Sequence, residues 1–196
     1  MEDYVIRATA GNGSVRAFAA STGNMVNDAR KVHDLSPLAA VALGRTMTAA
    51  AMMAVSMKGE KDTLTIQIKG DGPLGGIVVV SDSNLNVRGY VHNPKTYLPL
   101  NDKGKFDVAG AVGKGYLNII RDLGLREPYI GYVKLMSGEI AEDMAYYFTI
   151  SEQIPSAVSL GVYVDADETI ICAGGYILQL MPEADEEIIS YLEKKV

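Results

Sequence analysis

The sequence has 196 residues, of which 48% are hydrophobic and 21% are charged, a composition typical of a globular protein with a substantial apolar core. It carries 18 Lys and Arg against 24 Asp and Glu, which gives a net charge of −6 and disfavours nucleic acid as a partner. The single cysteine, Cys172, excludes an internal disulfide and a zinc cluster built from cysteines of this chain.

The N-terminal segment MEDYVIRATA lacks the basic and apolar regions of a signal peptide, so we expect a cytoplasmic protein. Residues 37–57 have the length of a membrane span, but Arg45 lies in the middle of this stretch and its hydrophobicity is modest. We therefore expect a buried helix there and no membrane partner.

The first two strands are predicted on either side of Gly11-Asn12-Gly13, which is a β-hairpin signal. A short amphipathic helix follows, with Ser21 or Thr22 as its N-cap. Its apolar positions are Met25, Ala29 and Val32, at spacings of four and three.

The second helix is predicted to begin with Ser36 as N-cap and Pro37 at the first helical position. It is apolar nearly all round, so it must be covered on more than one side, and Gly59 is a suitable stop. Its methionines indicate adaptable core packing, with a promiscuous binding surface as the alternative. These residues are Met47, Met52, Met53 and Met57.

The rest of the chain is rich in predicted strands, which come in consecutive runs: TLTIQIKG, GGIVVVSD, LNVRGYVHNP, YLNIIRDLG, PYIGYVKLM, AVSLGVYVD and ETIICAGGYILQLM. A short helix is predicted at DVAGAVG and a longer one after Ser137, with Ile140, Met144, Tyr147 and Phe148 on one face. The last two strands turn at residues 165–168, and a C-terminal helix follows with Pro182 near its first position.

This order of elements predicts an α+β protein rather than a doubly wound one, because strands and helices do not alternate. We expect a single domain in β/α/β layers, in which the long apolar helix is sandwiched between β-sheets. The domain is placed at residues 1–181, and residues 182–196 begin a C-terminal helix.

The segment GDGPLGG, residues 70–76, contains the dinucleotide spacing G-x-G-x-x-G at Gly70, Gly72 and Gly75. A nucleotide loop must lead into a helix, whereas here a β-rich run follows and Pro73 lies inside the motif. We interpret the segment as a turn whose glycines supply positive φ values. GAVGKG at 110–115 lacks the span and hydroxyl of a phosphate loop and is likewise interpreted as structural.

Arg45 is the one charge within the apolar helix, so it requires a carboxylate or carbonyl partner. We expect a structural ion pair. The alternative is a small-ligand or nucleotide-binding enzyme that uses the turn Gly70–Gly76 and Arg45 as an anion site.

No other residues form a convincing catalytic or metal-binding set, so neither catalytic residues nor cofactors are predicted within this chain. His33, beside Asp34, and His92 have no second histidine at ligand spacing. Ser151-Glu152-Gln153 is interpreted as a polar helix end, and Glu142-Asp143 and Glu186-Glu187 as solvated helix faces. Cys172 is expected to be a buried thiol, with a reactive thiol as the alternative.

Several blocks nonetheless share a pattern with one known family. They are ALGRTMTAAAMM (42–53), IKGDGPLGGIVV (68–79), VRGYVHNP (87–94), DLGLREPYIG (122–131), SEQIPSAVSLGV (151–162) and AGGYILQLMPEAD (173–185). In this order they cover almost the whole chain, and together they resemble the redox-regulated holdase chaperones of the heat-shock protein 33 family.

The resemblance implies an ATP-independent chaperone of the bacterial cytosol, not an enzyme, that binds unfolding client proteins under oxidative and heat stress. It implies a core domain with a central helix between sheets, followed by a helical linker that would begin at residues 182–196. In full-length members a zinc module with four cysteines follows, and its oxidation releases the metal and favours an active dimer.

This sequence departs from that pattern, since it ends at Val196 and has none of the four cysteines. We therefore expect a truncated form or fragment without the zinc module, in which no residue takes over zinc binding or redox sensing. Unfolded clients and a possible homodimer remain the expected partners, and no client-binding residue is predicted.

Overall fold

The computed structural model describes residues 2–182, 184 and 186–194. These residues form two antiparallel sheets and five α-helices. The strands are β1 (Tyr4–Ala10), β2 (Val15–Ser21), β3 (Thr63–Gly70), β4 (Ile77–Asp82), β5 (Val87–Val91), β6 (Gly115–Asp122), β7 (Tyr129–Lys134), β8 (Ser156–Val164) and β9 (Ile170–Leu180). The helices are α1 (Gly23–His33), α2 (Pro37–Ala54), α3 (Val108–Val112), α4 (Ala141–Ile150) and α5 (Glu186–Glu193).

Sheet A has the strand order β1-β2-β9-β8, and sheet B has the order β5-β4-β3-β6-β7. Sheet A therefore joins the first two strands of the chain to the last two, while sheet B is built from the middle of the chain. The turn between β1 and β2 and the turn between β8 and β9 fall where the sequence predicts them, because glycine and acidic turn residues interrupt the alternating runs.

Helix α2 packs against both sheets and forms the centre of the core. Every residue of it except Pro37 and Arg45 is buried, so the predicted β/α/β sandwich is confirmed. Each fully buried Leu or Met side chain contributes about 1.5–3 kcal/mol to the stability of the fold. A helix that is apolar all round gains this contribution on every face only when it is covered on all sides. Ser36 caps the helix by accepting a hydrogen bond from the Ala39 N–H at 3.2 Å, as predicted.

In the part of the chain that the structure describes, α2 alone has the length and apolar composition of a membrane span. Of that stretch, 89% is buried inside the protein.

The end of α2 differs from the prediction, since the helix stops at Ala54 rather than near Gly59. The Ser56 and Met57 N–H groups donate to the carbonyls of Met53 and Ala54, which closes the last turn early. Met57 consequently lies beyond the helix, although it still packs against the core.

The start of α1 also differs from the predicted cap. Thr22 occupies the N-cap position, but its hydroxyl hydrogen bonds with the buried hydroxyl of Thr48 on α2, at 2.7 Å. The cap comes instead from Asp3, whose carboxylate accepts from the N–H groups of Asn24 at 3.0 Å and Met25 at 2.7 Å. A carboxylate at this position also interacts favourably with the helix dipole.

The four apolar residues predicted to share a helix face, Ile140, Met144, Tyr147 and Phe148, are all buried, although Ile140 is the N-cap of α4 and not part of the helix. The interpretation of Glu142-Asp143 as a solvated face is wrong for Asp143, which is fully buried. Its carboxylate accepts from the N–H groups of Met136 at 2.6 Å, Ser137 at 3.1 Å and Ile140 at 3.0 Å. Asp143 thereby closes the loop that leads into the helix, which a sequence pattern alone does not distinguish from an exposed acid.

The C-terminal helix α5 begins at Glu186, so Pro182 is not at its first position as predicted. Residues 183 and 185, and the side chains of Glu186 and Glu187, lie outside the described part of the chain. Ile189 and Leu192 of α5 face Ala157 and Leu178 of sheet A across a cavity of about 310 Å³.

Candidate functional site

The segment 70–76 is a turn between two strands, as predicted, since β3 ends at Gly70 and β4 begins at Ile77. It packs against the end of α3 and the segment that leads from α3 into β6. The N–H groups of Asp71, Gly72 and Leu74 donate to the carbonyls of residues 114, 112 and 111, at 2.9, 3.0 and 3.0 Å. A nucleotide phosphate needs free N–H groups, and here these three are already used within the fold.

The glycines of this turn have two different functions. Gly75 and Gly76 adopt positive φ values of 75° and 133°, as predicted. Gly70 and Gly72 do not, and the prediction of positive φ is wrong for them. A Cβ at either position would overlap the carbonyl oxygens of Val112 or Ala111, so these two glycines permit close backbone approach.

Arg45 forms the structural ion pair expected of it. Its Nη1 lies 2.7 Å from the carboxylate of Glu139 and 3.2 Å from the Glu139 main-chain oxygen. Arg45 is therefore neutralised from within the chain, and the anion site that would combine it with the turn Gly70–Gly76 finds no support in the structure.

The predicted polar residues 151–153 are part of a structural network. Glu152 pairs with Arg121 at 2.5 Å. Nearby, Arg16 donates from Nε and Nη2 to the Oε1 of Gln179 at 3.1 and 2.7 Å, and the amide of Gln179 donates to Ser156 at 3.3 Å. Burial lowers the pKa of Arg16, and the positive charge of Arg7 lowers it further. The Arg121–Glu152 pair joins sheet B to the segment after α4, and the bonds of Arg16, Gln179 and Ser156 join three strands of sheet A.

The two histidines lie apart. His33 ends α1 and is exposed, and His92 stacks on Tyr90 with ring centroids 5.8 Å apart. Within the described residues, no group of three or more His, Cys, Asp and Glu is placed to hold a metal ion. The single cysteine of this chain does not supply the ligands of a four-cysteine zinc module.

Cys172 is exposed, and the prediction of a buried thiol is wrong. Its neighbour Ala173 points towards the core, so alternation along β9 directs Cys172 to the opposite face of sheet A. The apolar neighbours of Cys172 in the sequence indicate burial on both faces, but no described element covers this part of the outer face.

The outer face of sheet A is the most unusual surface of the fold. Phe18, Leu160 and Ile177 are buried on the inner side, so the alternate positions face outward. None of these outward positions is charged, and we call them the uncharged face: Tyr4, Ile6, Ala8, Ala10, Val15, Ala17, Ala19, Ser21, Ala157, Ser159, Gly161, Tyr163, Cys172, Gly174, Tyr176, Leu178 and Leu180. Small residues dominate its middle, which makes it flat.

One end of the uncharged face is covered by α5. Ile188 approaches Gly11, Val15 is only 5% exposed, and Ile189 and Leu192 lie over Leu178. The opposite end is open, with Ser159, Gly161 and Tyr163 exposed and Ile6 at 53% exposure. The face therefore already holds one amphipathic segment and has room for another.

The outer face of sheet B has a different character. Lys69, Arg88 and Lys134 are exposed on it, and Asp82 and Asp122 lie at its far end. Mixed charge is ordinary for a solvated sheet face. The comparison shows that absence of charge is a property of sheet A and not of both sheets.

The sequence analysis did not identify the uncharged face. The available signal was the alternation of small residues in VRAFAAS and SAVSLGVYV. In SAVSLGVYV, neither of the two alternating sets of residues contains a charge. Its meaning depends on which strands lie side by side, and that pairing joins residues about 160 positions apart.

Comparisons with known proteins agree with this architecture. Residues 3–196 match the family model described as Hsp33 protein. Two relatives named 33 kDa chaperonin, from Acetivibrio thermocellus and Ruminiclostridium cellulolyticum, are 66% and 62% identical over all of this chain. The chain spans about two thirds of their length, 66% and 67% respectively.

Among solved structures, the 33 kDa chaperonin (heat shock protein 33 homolog) of Thermotoga maritima superimposes with a TM-score of 0.93 at 47% identity. The match covers 97% of this chain and 65% of that one. The fold and surface thus define an α+β domain built around one apolar helix, with an uncharged sheet face. This chain belongs to the Hsp33 family, a family of chaperones.

Proposed function

We propose that this domain is an ATP-independent holdase that binds unfolding polypeptides on the uncharged face of sheet A. The observation that carries the proposal is the absence of charge from every outward position of that sheet. Unfolded chains expose apolar segments of many sequences. A flat apolar surface without charges can bind them with little discrimination, since burial of apolar area is non-directional.

The position of α5 supports this proposal. Its residues Ile188, Ile189 and Leu192 rest at one end of the uncharged face, so the surface is suited to an amphipathic segment. A client segment would occupy the open end, near Ile6, Ala19 and Ser159. The exposed rings of Tyr4 and Tyr163 add contact area there at low entropic cost.

The domain requires no nucleotide for this activity, and we propose that it is not an enzyme. The N–H groups of the Gly-rich turn and the guanidinium of Arg45 are used within the fold. The alternative of a nucleotide-binding enzyme has no observation in its favour.

The remaining features are proposed for a longer protein, because this chain spans only 66% and 67% of the length of these two relatives. They are a cytoplasmic location in a bacterium, regulation by a zinc-bound redox module, and a homodimer. We place the core domain at residues 1–181 and the start of a linker at residues 182–196. Residues 1–196 tested by themselves contain a single cysteine and are expected to act equally in reductant and in peroxide.

The proposal is tested by measuring how the chain suppresses aggregation of a heat-denatured client, by light scattering. Ala19→Lys and Ser159→Lys together place two charges in the open part of the uncharged face. We expect the variant to need severalfold more protein for equal suppression, because a buried lysine without a partner is costly. Asn118→Lys, on the outer face of sheet B, is the control.

Each variant is first checked for wild-type thermal stability, since Ala19 and Ser159 are exposed. Wild-type chain that fails to suppress aggregation contradicts the proposed function. Suppression that the control variant loses as much as the sheet A variant contradicts the location. ATP is added to all samples in a parallel series and is expected to change nothing.

A further inference from the structure

Strand β1 has an unprotected edge. It lies at the end of the order β1-β2-β9-β8, and no residue in the described ranges hydrogen bonds to its outer side. Six of its seven residues are exposed, and only Val5 is partly covered. Alternate N–H and C=O groups of β1 therefore point into solvent, in the arrangement that pairs with another strand.

The other three edge strands are protected in ways that proteins use against unwanted pairing. Strand β5 has only five residues, and β7 ends with Lys134. Strand β8 has α4 packed against it. By contrast, β1 has seven residues, contains neither Lys nor Pro, and carries Arg7 as its one charge.

The chemistry of this edge specifies its partner. Only another backbone in the extended conformation offers alternating donors and acceptors at the matching spacing, so the partner is a polypeptide segment. Side chains of such a segment would alternate between the two faces of sheet A. One set would lie beside Tyr4, Ile6 and Ala8, which extends the uncharged face by a further strand.

A second copy of this chain fits the edge poorly. Two-fold antiparallel pairing of Tyr4–Ala10 with itself over its whole length places Arg7, the middle residue, directly opposite Arg7 of the other copy. Like charges directly opposite each other destabilise a strand pair. The edge is therefore better suited to a strand of different sequence.

We propose that β1 captures an extended segment of an unfolded client by strand addition, as a strand paired along the seven residues Tyr4–Ala10. This inference rests on the proposed holdase function and specifies how the client is held. Main-chain hydrogen bonds are independent of sequence, so this mode explains how one surface holds unrelated clients without a specific motif.

The first test is amide hydrogen exchange of β1, measured by NMR on the 196-residue chain. The probe is reduced, carboxymethylated α-lactalbumin, which stays unfolded and soluble. In the free protein, alternate amides of Tyr4–Ala10 should be protected by β2 and the others should exchange fast. With probe bound, the fast-exchanging set should slow by about tenfold at nine-tenths occupancy.

The second test uses proline, which is tolerated in an edge strand only where its missing N–H faces outward. Ala8→Pro and Thr9→Pro are adjacent, so one removes an outward N–H and the other removes a hydrogen bond to β2. We expect one variant to keep the wild-type melting temperature and lose severalfold in probe affinity. The other should melt at a lower temperature and serves as the matched control.

The outcomes are separable. If wild-type chain does not bind the probe, the proposed function itself fails. If it binds the probe while β1 exchange is unchanged, or the stable proline variant binds as wild type does, strand addition is overturned. A second copy of the chain would occupy the edge if two results came together without probe: protection of β1 that rises with protein concentration, and a dimer in sedimentation. That outcome would also overturn strand addition by a client.

Discussion

Arg45 of the core helix and Glu139 of the loop before α4 are joined at two points, by the carboxylate at 2.7 Å and the main-chain oxygen at 3.2 Å. Both side chains are partly covered, with 19% and 34% exposure. The contact ties α2 to the loop that Asp143 closes, so a charge in the middle of an apolar helix becomes a link between two layers.

This link makes a prediction about the two partners. Arg45→Ala should lower the free energy of unfolding by about 2 kcal/mol, because it leaves the Glu139 carboxylate without its cation. Glu139→Gln should cost less, since the main-chain oxygen of residue 139 still accepts from Arg45. Urea denaturation measures both values. Equal losses in the two variants would show that the carboxylate supplies the whole interaction.

The Gly-rich turn gives a second prediction. Gly70→Ala should destabilise the protein by about 2–4 kcal/mol, because the added Cβ overlaps the carbonyl oxygen of Val112 and must push the end of α3 away from β3. Gly161→Ala is the matched control, since a Cβ there meets nothing within 4 Å and its φ is ordinary. It should be neutral or stabilising, by up to about 1 kcal/mol. Thermal unfolding of both variants in parallel measures the two effects. A Gly70→Ala variant as stable as the wild type would refute the role of Gly70 in close packing.

Tyr147 provides a prediction about alkaline stability. Burial raises the pKa of its hydroxyl above the ordinary value of 10.0, and the negative charge of Glu152 raises it further. A group whose pKa is higher in the folded state contributes stability below its unfolded pKa and loses it as the pH rises above that value. Unfolding free energy should therefore fall above pH about 10, and Tyr147→Phe should reduce that fall.

At neutral pH the same variant should be neutral or stabilising. No described residue meets the Tyr147 hydroxyl with good hydrogen-bond geometry, and the nearby carboxylate of Glu152 keeps Arg121 as its partner when the hydroxyl is removed. Urea denaturation at several pH values measures both effects. A Tyr147→Phe variant that is much less stable at pH 7 would reveal a hydrogen bond for this hydroxyl.

Cys172 gives the fourth prediction. Because it is exposed, it should react with a thiol-specific reagent in the native protein, at one thiol per chain and without denaturant. A bulky adduct there would occupy the open end of the uncharged face and should weaken suppression of aggregation. Cys172→Ser controls for unspecific labelling, and reaction only after unfolding would contradict the exposed position.

The sequence predicts the order of elements well because most of them rest on local signals. Ser36-Pro37 begins α2, the hairpin turns at residues 11–13, and the absence of a polar face places α2 between layers. The turn at 70–76 is also predicted correctly, because the β-rich run after it excludes a nucleotide loop.

Where prediction failed, a contact between distant residues decided the outcome. Asp3 caps α1 in place of the Thr22 side chain, and Gly70 is required by Val112 rather than by its own φ. Cys172 has apolar neighbours in the sequence, but no element among the described residues covers it. The uncharged face could not be predicted for the same reason, since it exists only once the first and last strands are paired.

The pairing of the first and last strands also affects when the core can form during synthesis of the chain. Helix α2 is made early, yet one of its two covers, sheet A, is complete only when β8 and β9 have followed, more than a hundred residues later. Until the nascent chain reaches residue 180, the methionines and leucines of α2 that sheet A will cover face water or some other protein. During its own translation, this chain therefore exposes the kind of surface that it is proposed to bind.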